Sequence, residues 1–183
     1  RSPYAAAKAY AIHIARVYRE SYGLRIVIGI LFNHESERRG ETFVSRKITR
    51  AVARIAAGTQ EHLYLGNLEA RRDWGYAPEY VAAMVALLRA GSGIGGDYVL
   101  GTGESHSVAD FAERAFSAAG LDWRKHVRHD PRYLRPAEVP ELRANSMRAI
   151  VAIGWRPAVS FDDLIERMVR HDMSLVEAGR RAA

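Results

Sequence analysis

The chain has 183 residues, 48% hydrophobic and 26% charged, the balance of an ordinary globular protein and enough length for one domain with a small subdomain. It contains no cysteine, which excludes disulfides and thiolate metal sites, and no run of eighteen apolar residues, so a membrane span is not expected. The net charge of +6 favours anionic partners, but without a long Lys/Arg block or interleaved aromatic stripe nucleic acid is not an expected one.

Apolar residues at helical spacing (Ala5, Ala9, Ile12, Ala15, Val17) predict a helix over Tyr4–Tyr22, entered at Ser2-Pro3 and stopped at Gly23. Leu24–Phe32 is a nearly unbroken Ile/Val-rich run, read as a strand buried on both faces. A polar loop, Asn33–Glu41, leads to a helix over Thr42–Ala57 whose buried stripe is Phe43, Val44, Ile48, Val52 and Ile55. His62–Leu65 reads as a short strand and Gly66–Gly75 as a polar loop. Pro78–Ala90 reads as a helix and Gly91–Gly96 as a flexible loop. A strand at Asp97–Leu100 and a helix over Ser107–Ala119 follow, the latter with Ser107 as N-cap and Gly120 as stop. Arg124–Asn145, with Pro131, Pro136 and Pro140, reads as irregular. Helices at Ser146–Ile153 and Phe161–Glu177 flank the turn Gly154-Trp155-Arg156-Pro157.

Alternating strands and helices predict an α/β fold. Three short strands make a poor sheet by themselves, so further sheet is expected upstream of this sequence. Trp74, Tyr80 and Trp155 are expected in the core or at its rim. None of the seven histidines is paired at metal-ligand spacing on one helix, and no serine has a nucleophile-elbow setting.

The chemistry starts at Tyr4 and Lys8, which at i, i+4 share one helix face. An ammonium beside a phenol stabilises the phenolate and makes it a usable acid/base. The spacing also recurs in ordinary solvated helix faces. Its context is more specific. Ser2-Pro3-Tyr4-Ala5-Ala6-Ala7-Lys8, opening an Ala-rich helix before an apolar strand, resembles the extended short-chain dehydrogenase/reductases. Six further stretches are similar, in the same order, to the GDP-mannose 4,6-dehydratases: 29–36, 38–44, 46–49, 65–67, 72–77 and 133–139. The resemblance extends from Ser2 to about Asp172.

It implies the C-terminal part of an NAD(P)-binding, Rossmann-like fold with a smaller α/β substrate subdomain. Residues 1–66 would be the remainder of the Rossmann-like domain and the start of the substrate region; residues 67–183 would be mainly the sugar-nucleotide-binding subdomain, interleaved with the first. The implied reaction is NADP-dependent conversion of GDP-mannose to GDP-4-keto-6-deoxy-mannose and water, toward GDP-6-deoxyhexoses. Tyr4 would be the acid/base and Lys8 would hold the nicotinamide ribose. His34, Arg39 and Arg38 would contact the cofactor. Asn33, Val44, Lys47, Gly66, Asn67, Arg72, Arg135 and Glu138 would bind the sugar nucleotide. A cytoplasmic homo-oligomer, a dimer or tetramer, is implied for the complete enzyme.

The sequence departs from the pattern at Glu37, where the family's Ser-Pro-Arg-Arg loop has proline. It also has no Gly-rich strand–turn–helix cradle, because Gly91, Gly93, Gly95 and Gly96 follow a helix and precede a strand. The family's catalytic Thr and Glu, which precede the Tyr, are absent as well. These 183 residues alone are therefore expected to be inactive. A catalytically incomplete sugar-nucleotide-binding paralogue and a related nucleotide-sugar epimerase or dehydratase remain as alternatives.

Overall fold

The computed structural model of the protein describes residues 2–91, 93–134 and 137–182. Helix α1 (Pro3–Tyr22) starts where local chemistry dictates. The Ser2 hydroxyl accepts from Ala5 N at 3.1 Å, Pro3 supplies a preset φ, and Gly23 closes the helix at φ 65°. No residue of α1 is buried, so the periodic stripe that predicts the helix has no core beneath it here. Strand β1 (Val27–Leu31) and the short β2 (Asn33–Glu35) lead into α2 (Val44–Ala56). Then come β3 (Leu63–Leu65), β4 (Arg71–Arg72), β5 (Trp74–Tyr76) and α3 (Ala77–Arg89). Strands β6 (Gly96–Leu100) and β7 (His106–Ser107) precede α4 (Val108–Ala118) and the one-turn α5 (Trp123–His126). Strand β8 (Val127–His129), a 3-10 turn at Pro131–Tyr133, α6 (Met147–Ile153) and α7 (Phe161–Ala182) complete the order.

The strands pair two by two among the described residues. Three pairs are parallel: β1 with β6 (Val27 opposite Gly96), β2 with β5, and β3 with β8. Strands β4 and β7 pair antiparallel. The structure corrects four expectations. The run at 24–32 forms a strand of only five residues, each partly covered or exposed rather than doubly buried, because β6 is its one neighbour among the described residues. The supposed loop at 66–75 contains β4 and the start of β5, and the irregular 124–145 contains β8 and the 3-10 turn. Such short strands exist through partners far away in the chain, not through a local pattern. Phe43 caps α2 and is 47% exposed instead of joining its buried stripe.

The larger core lies between α2, α4 and α7, where Ile48, Val52, Phe111, Phe116, Leu164 and Met168 are essentially inaccessible. Each such side chain contributes roughly 1.5–3 kcal/mol by leaving water. Trp74 seals this core, its ring 5.1 Å from Phe111 and 5.9 Å from Phe161. A second core joins α3, β6 and α6 through Tyr80, Leu87, Tyr98, Leu100 and Trp155. The buried carboxylate of Asp73 binds the intervening loops together. It accepts from Thr102 N (2.8 Å), Thr102 Oγ1 (2.7 Å), Gly103 N (2.8 Å) and Ala144 N (3.1 Å), so its charge is compensated without a cation.

Candidate functional site

A cavity of about 520 Å³ opens beyond the carboxyl ends of β2 and β3, the side of a parallel α/β arrangement where ligands bind. Strand β2 delivers Asn33 and Glu35 to it, and the loop into α2 delivers Arg39 and Phe43. Helix α2 adds Val44 and Lys47, the end of β3 adds Gly66 and Asn67, and Arg72, Tyr133 and Glu138 close it. Every described residue expected at the sugar nucleotide therefore lines one cavity: Asn33, Val44, Lys47, Gly66, Asn67, Arg72 and Glu138. Arg135 lies outside the described residues.

The charged groups are held by one another. Arg72 forms an ion pair with Glu138 through Nη2, and its Nη1 donates to the carbonyls of Val139 (2.8 Å) and Arg71 (2.7 Å). Lys47 Nζ donates to Tyr64 O at 2.7 Å and lies 3.3 Å from the centroid of the Tyr133 ring. Gly66 is required by space: a Cβ there would stand 2.5 Å from the Tyr133 carbonyl oxygen. Arg39 Nε lies 3.1 Å from Glu35 Oε2, and its guanidinium stacks 3.6 Å from the Phe43 ring centroid.

Glu35, Ser45, Phe43 and Tyr133 belong to the cavity wall although the sequence assigns them no role there. Glu35 is 1% exposed and accepts from Ser45 Oγ at 2.6 Å. Burial pushes its carboxyl above the usual range, against the opposing pull of the Ser45 hydrogen bond and the Arg39 charge. In the sequence Glu35 is an acid within the polar loop that follows the apolar run, so its burial is a tertiary fact.

The remaining expected residues lie elsewhere. Tyr4 is 72% exposed on α1, with Lys8 Nζ 5.6 Å from its ring centroid, and neither lines the cavity. His34 donates from Nδ1 to Phe32 O at 2.8 Å, which leaves Nε2 as the acceptor of the neutral ring. Its ring stacks on Tyr80 with centroids 5.4 Å apart. Arg38 is exposed and lines a separate concavity of about 720 Å³ with Arg167, Arg170 and His171 of α7. The adjacent arginines therefore serve different surfaces. No group of three His, Cys, Asp or Glu among the described residues could hold a metal ion, and no described helix is long and apolar enough to cross a membrane.

The sequence model of the family described as GDP-mannose 4,6 dehydratase matches residues 1–168. The chain belongs to this family. It is 49% identical over 177 residues to GDP-mannose 4,6 dehydratase 1 of Arabidopsis thaliana, covering 97% of this chain and 48% of that protein. It is 43% identical over 199 residues to GDP-mannose 4,6 dehydratase of Homo sapiens, covering 100% of this chain and 53% of the relative. The chain thus spans about half the length of the curated relatives it matches. Among solved structures, RMD from Pseudomonas aeruginosa complexed with NADPH superposes with a TM-score of 0.86 at 24% identity, over 96% of this chain and 57% of that one. UDP-glucose 4-epimerase of Thermus thermophilus, in complex with NAD, gives 0.78 at 28% identity, over 93% and 54%. The α/β architecture is that of the extended short-chain dehydrogenase/reductases.

Proposed function

We propose that this chain is the substrate-binding portion of a GDP-mannose 4,6-dehydratase that converts GDP-mannose to GDP-4-keto-6-deoxy-mannose and water. One observation carries the reading. Seven residues chosen for the sugar nucleotide, scattered from Asn33 to Glu138, converge on a single cavity at the strand ends. Its volume is within the 300–1,000 Å³ or so typical of small-molecule sites. Arg72 and Lys47 bring positive charge toward the diphosphate, and the amide of Asn33 can donate to it. Glu138 accepts from the ribose while keeping Arg72 in place.

The cofactor proposed is NADP, which when bound would supply reversible hydride exchange with the sugar carbons. The residues of this chain fit its nicotinamide end, because Tyr4 and Lys8 occupy one accessible face of α1. They do not fit its pyrophosphate: the glycines between α3 and β6 follow a helix, and a Cβ at Gly91, Gly93 or Gly95 would meet nothing within 4 Å. Tyr4 takes the 4-hydroxyl proton at its phenolic oxygen, the Lys8 ammonium balancing the negative charge that this oxygen carries before the transfer. His34, whose Nε2 is left as an acceptor, and the guanidinium of Arg39 are the further proposed cofactor contacts; Arg38 is proposed to reach a neighbouring subunit's cofactor. A cytoplasmic homo-oligomer is proposed for the complete protein, and the exposed Tyr10, Val17 and Tyr18 of α1 support an assembly surface. A division into a Rossmann-like remainder over 1–66 and a substrate subdomain over 67–183 is proposed with the two interleaved, since both cores draw residues from either side of that boundary.

The test is mass spectrometry of GDP-mannose incubated with NADP and these residues joined to a dinucleotide-binding half. Loss of one water without net accumulation of NADPH, abolished by Tyr4→Phe, is expected. Turnover of UDP-glucose in place of GDP-mannose would overturn the substrate assignment.

A further inference from the structure

The turn after β8 presents one aromatic side chain to the cavity. Strand β8 pairs with β3, and Asp130 N continues the contact by donating to Leu65 O at 2.8 Å. The buried Asp130 carboxylate accepts from Arg132 N at 2.9 Å, and the Asp130 carbonyl from Tyr133 N at 3.1 Å, which closes the 3-10 turn. Gly66, having no Cβ, lets the Tyr133 carbonyl approach the end of β3. Tyr133 is thereby fixed at the cavity wall, while its side chain belongs to neither core and is half exposed.

Facing it is Lys47 of α2, whose Nζ stands 3.3 Å from the Tyr133 ring centroid and donates to Tyr64 O at 2.7 Å. A lysine is a point charge on a flexible stem, and ordering that stem on binding costs affinity. Here the stem is ordered in advance. One acceptor alone would let the ammonium swing about it; the ring face removes that freedom. With one N–H on the carbonyl and one against the ring, a third is left for the cavity that Lys47 lines. An aromatic support also differs from a carboxylate. Arg72 is held by the opposite charge of Glu138, whereas a ring attracts a cation without cancelling its charge.

We propose that Tyr133 is a positioning residue: its ring face fixes the Lys47 ammonium, charge intact, where it meets an oxygen of the bound nucleotide. The binding half of this inference rests on reading the cavity as a nucleoside-diphosphate site. The purified protein is compared with Tyr133→Phe, Tyr133→Leu, Lys47→Met and the double variant Tyr133→Leu/Lys47→Met. The two readouts are NMR of the lysine ε-methylene protons without ligand and calorimetric titration with GDP. The Lys47 signal, displaced upfield by the ring in the native protein, should stay displaced in Tyr133→Phe and return to the solvated position in Tyr133→Leu. Tyr133→Leu should weaken GDP binding about fivefold, and Tyr133→Phe should keep the native affinity. In the Lys47→Met background Tyr133→Leu should cost nothing further, the signature of acting through that lysine. A ring that touched the ligand itself would still cost affinity in that background, and this result would overturn the inference. So would an undisplaced Lys47 signal in the native protein, or native affinity in Tyr133→Leu, which would leave the cavity reading standing. Failure of the native protein to bind GDP would instead sink the cavity reading and the nucleotide role of Tyr133; the NMR comparison would still decide whether the ring holds Lys47.

Discussion

Glu35 shows how one side chain can serve both the fold and the cavity. Because burial raises its carboxyl above the ordinary 4.5, the folded protein binds that proton more tightly than the unfolded chain. The stability it contributes is complete below pH 4.5 and is lost as the pH rises through the raised value. Asp97 and Asp110 act in the opposite sense. Burial would raise them, but Arg16 and Arg19 hold Asp97 below its ordinary 3.8, and hydrogen bonds at Ser107 hold Asp110 below the same value. Their contribution is present above 3.8 and lost on acidification. The windows are separate, so Glu35→Gln should flatten the stability profile on the neutral side of pH 4.5 and leave the acid limb alone. Urea midpoints across pH would check this; an unaltered neutral slope would contradict it. Gly66→Ala forces a Cβ against the Tyr133 carbonyl and should cost about 1–3 kcal/mol with weaker nucleotide binding, measurable by urea unfolding and calorimetry. Asn33, Gly66 and Asn67 could be placed from sequence because motifs carried them. Glu35 and Ser45 could not, since their contact spans ten residues and forms only when β2 meets α2.

Helices were legible for a local reason: caps and apolar periodicity are written within a few residues. Helix α4 is the clearest instance, with Ser107 and Asp110 exchanging backbone hydrogen bonds in a capping box. Ser107→Ala should therefore cost about 1 kcal/mol, and Ser107→Gly only a few tenths; paired thermal melts would separate the two, and equal losses would argue against the cap. Strands β4, β5 and β8 carry no comparable signal. Two or three residues hold no period, and their partners lie tens of positions away, as Trp74–Tyr76 does from Asn33–Glu35. The stripe of α1 shows the converse: periodicity gave the helix correctly but could not say what it packs against, and no residue of it is buried.

At the scale of the whole molecule, the chain belongs to the GDP-mannose 4,6-dehydratase family, and the relatives it matches are about twice as long. The cavity is lined by seven of the residues expected at the sugar nucleotide, whereas Tyr4 and Lys8 stand on an open helix face and do not line it. Binding of the nucleotide and chemistry on the sugar should therefore be separable in this polypeptide. The 183 residues alone are expected to leave GDP-mannose unconsumed in the presence of NADP. The most direct measurement is calorimetric titration of the purified chain with GDP, UDP and dTDP. The account predicts saturable binding of GDP, at least about tenfold tighter than either pyrimidine nucleotide and weakened by Arg72→Ala, since each lost charge-assisted hydrogen bond is worth roughly 1.5–3 kcal/mol. No heat of binding with GDP, or equal affinity for all three, would contradict it.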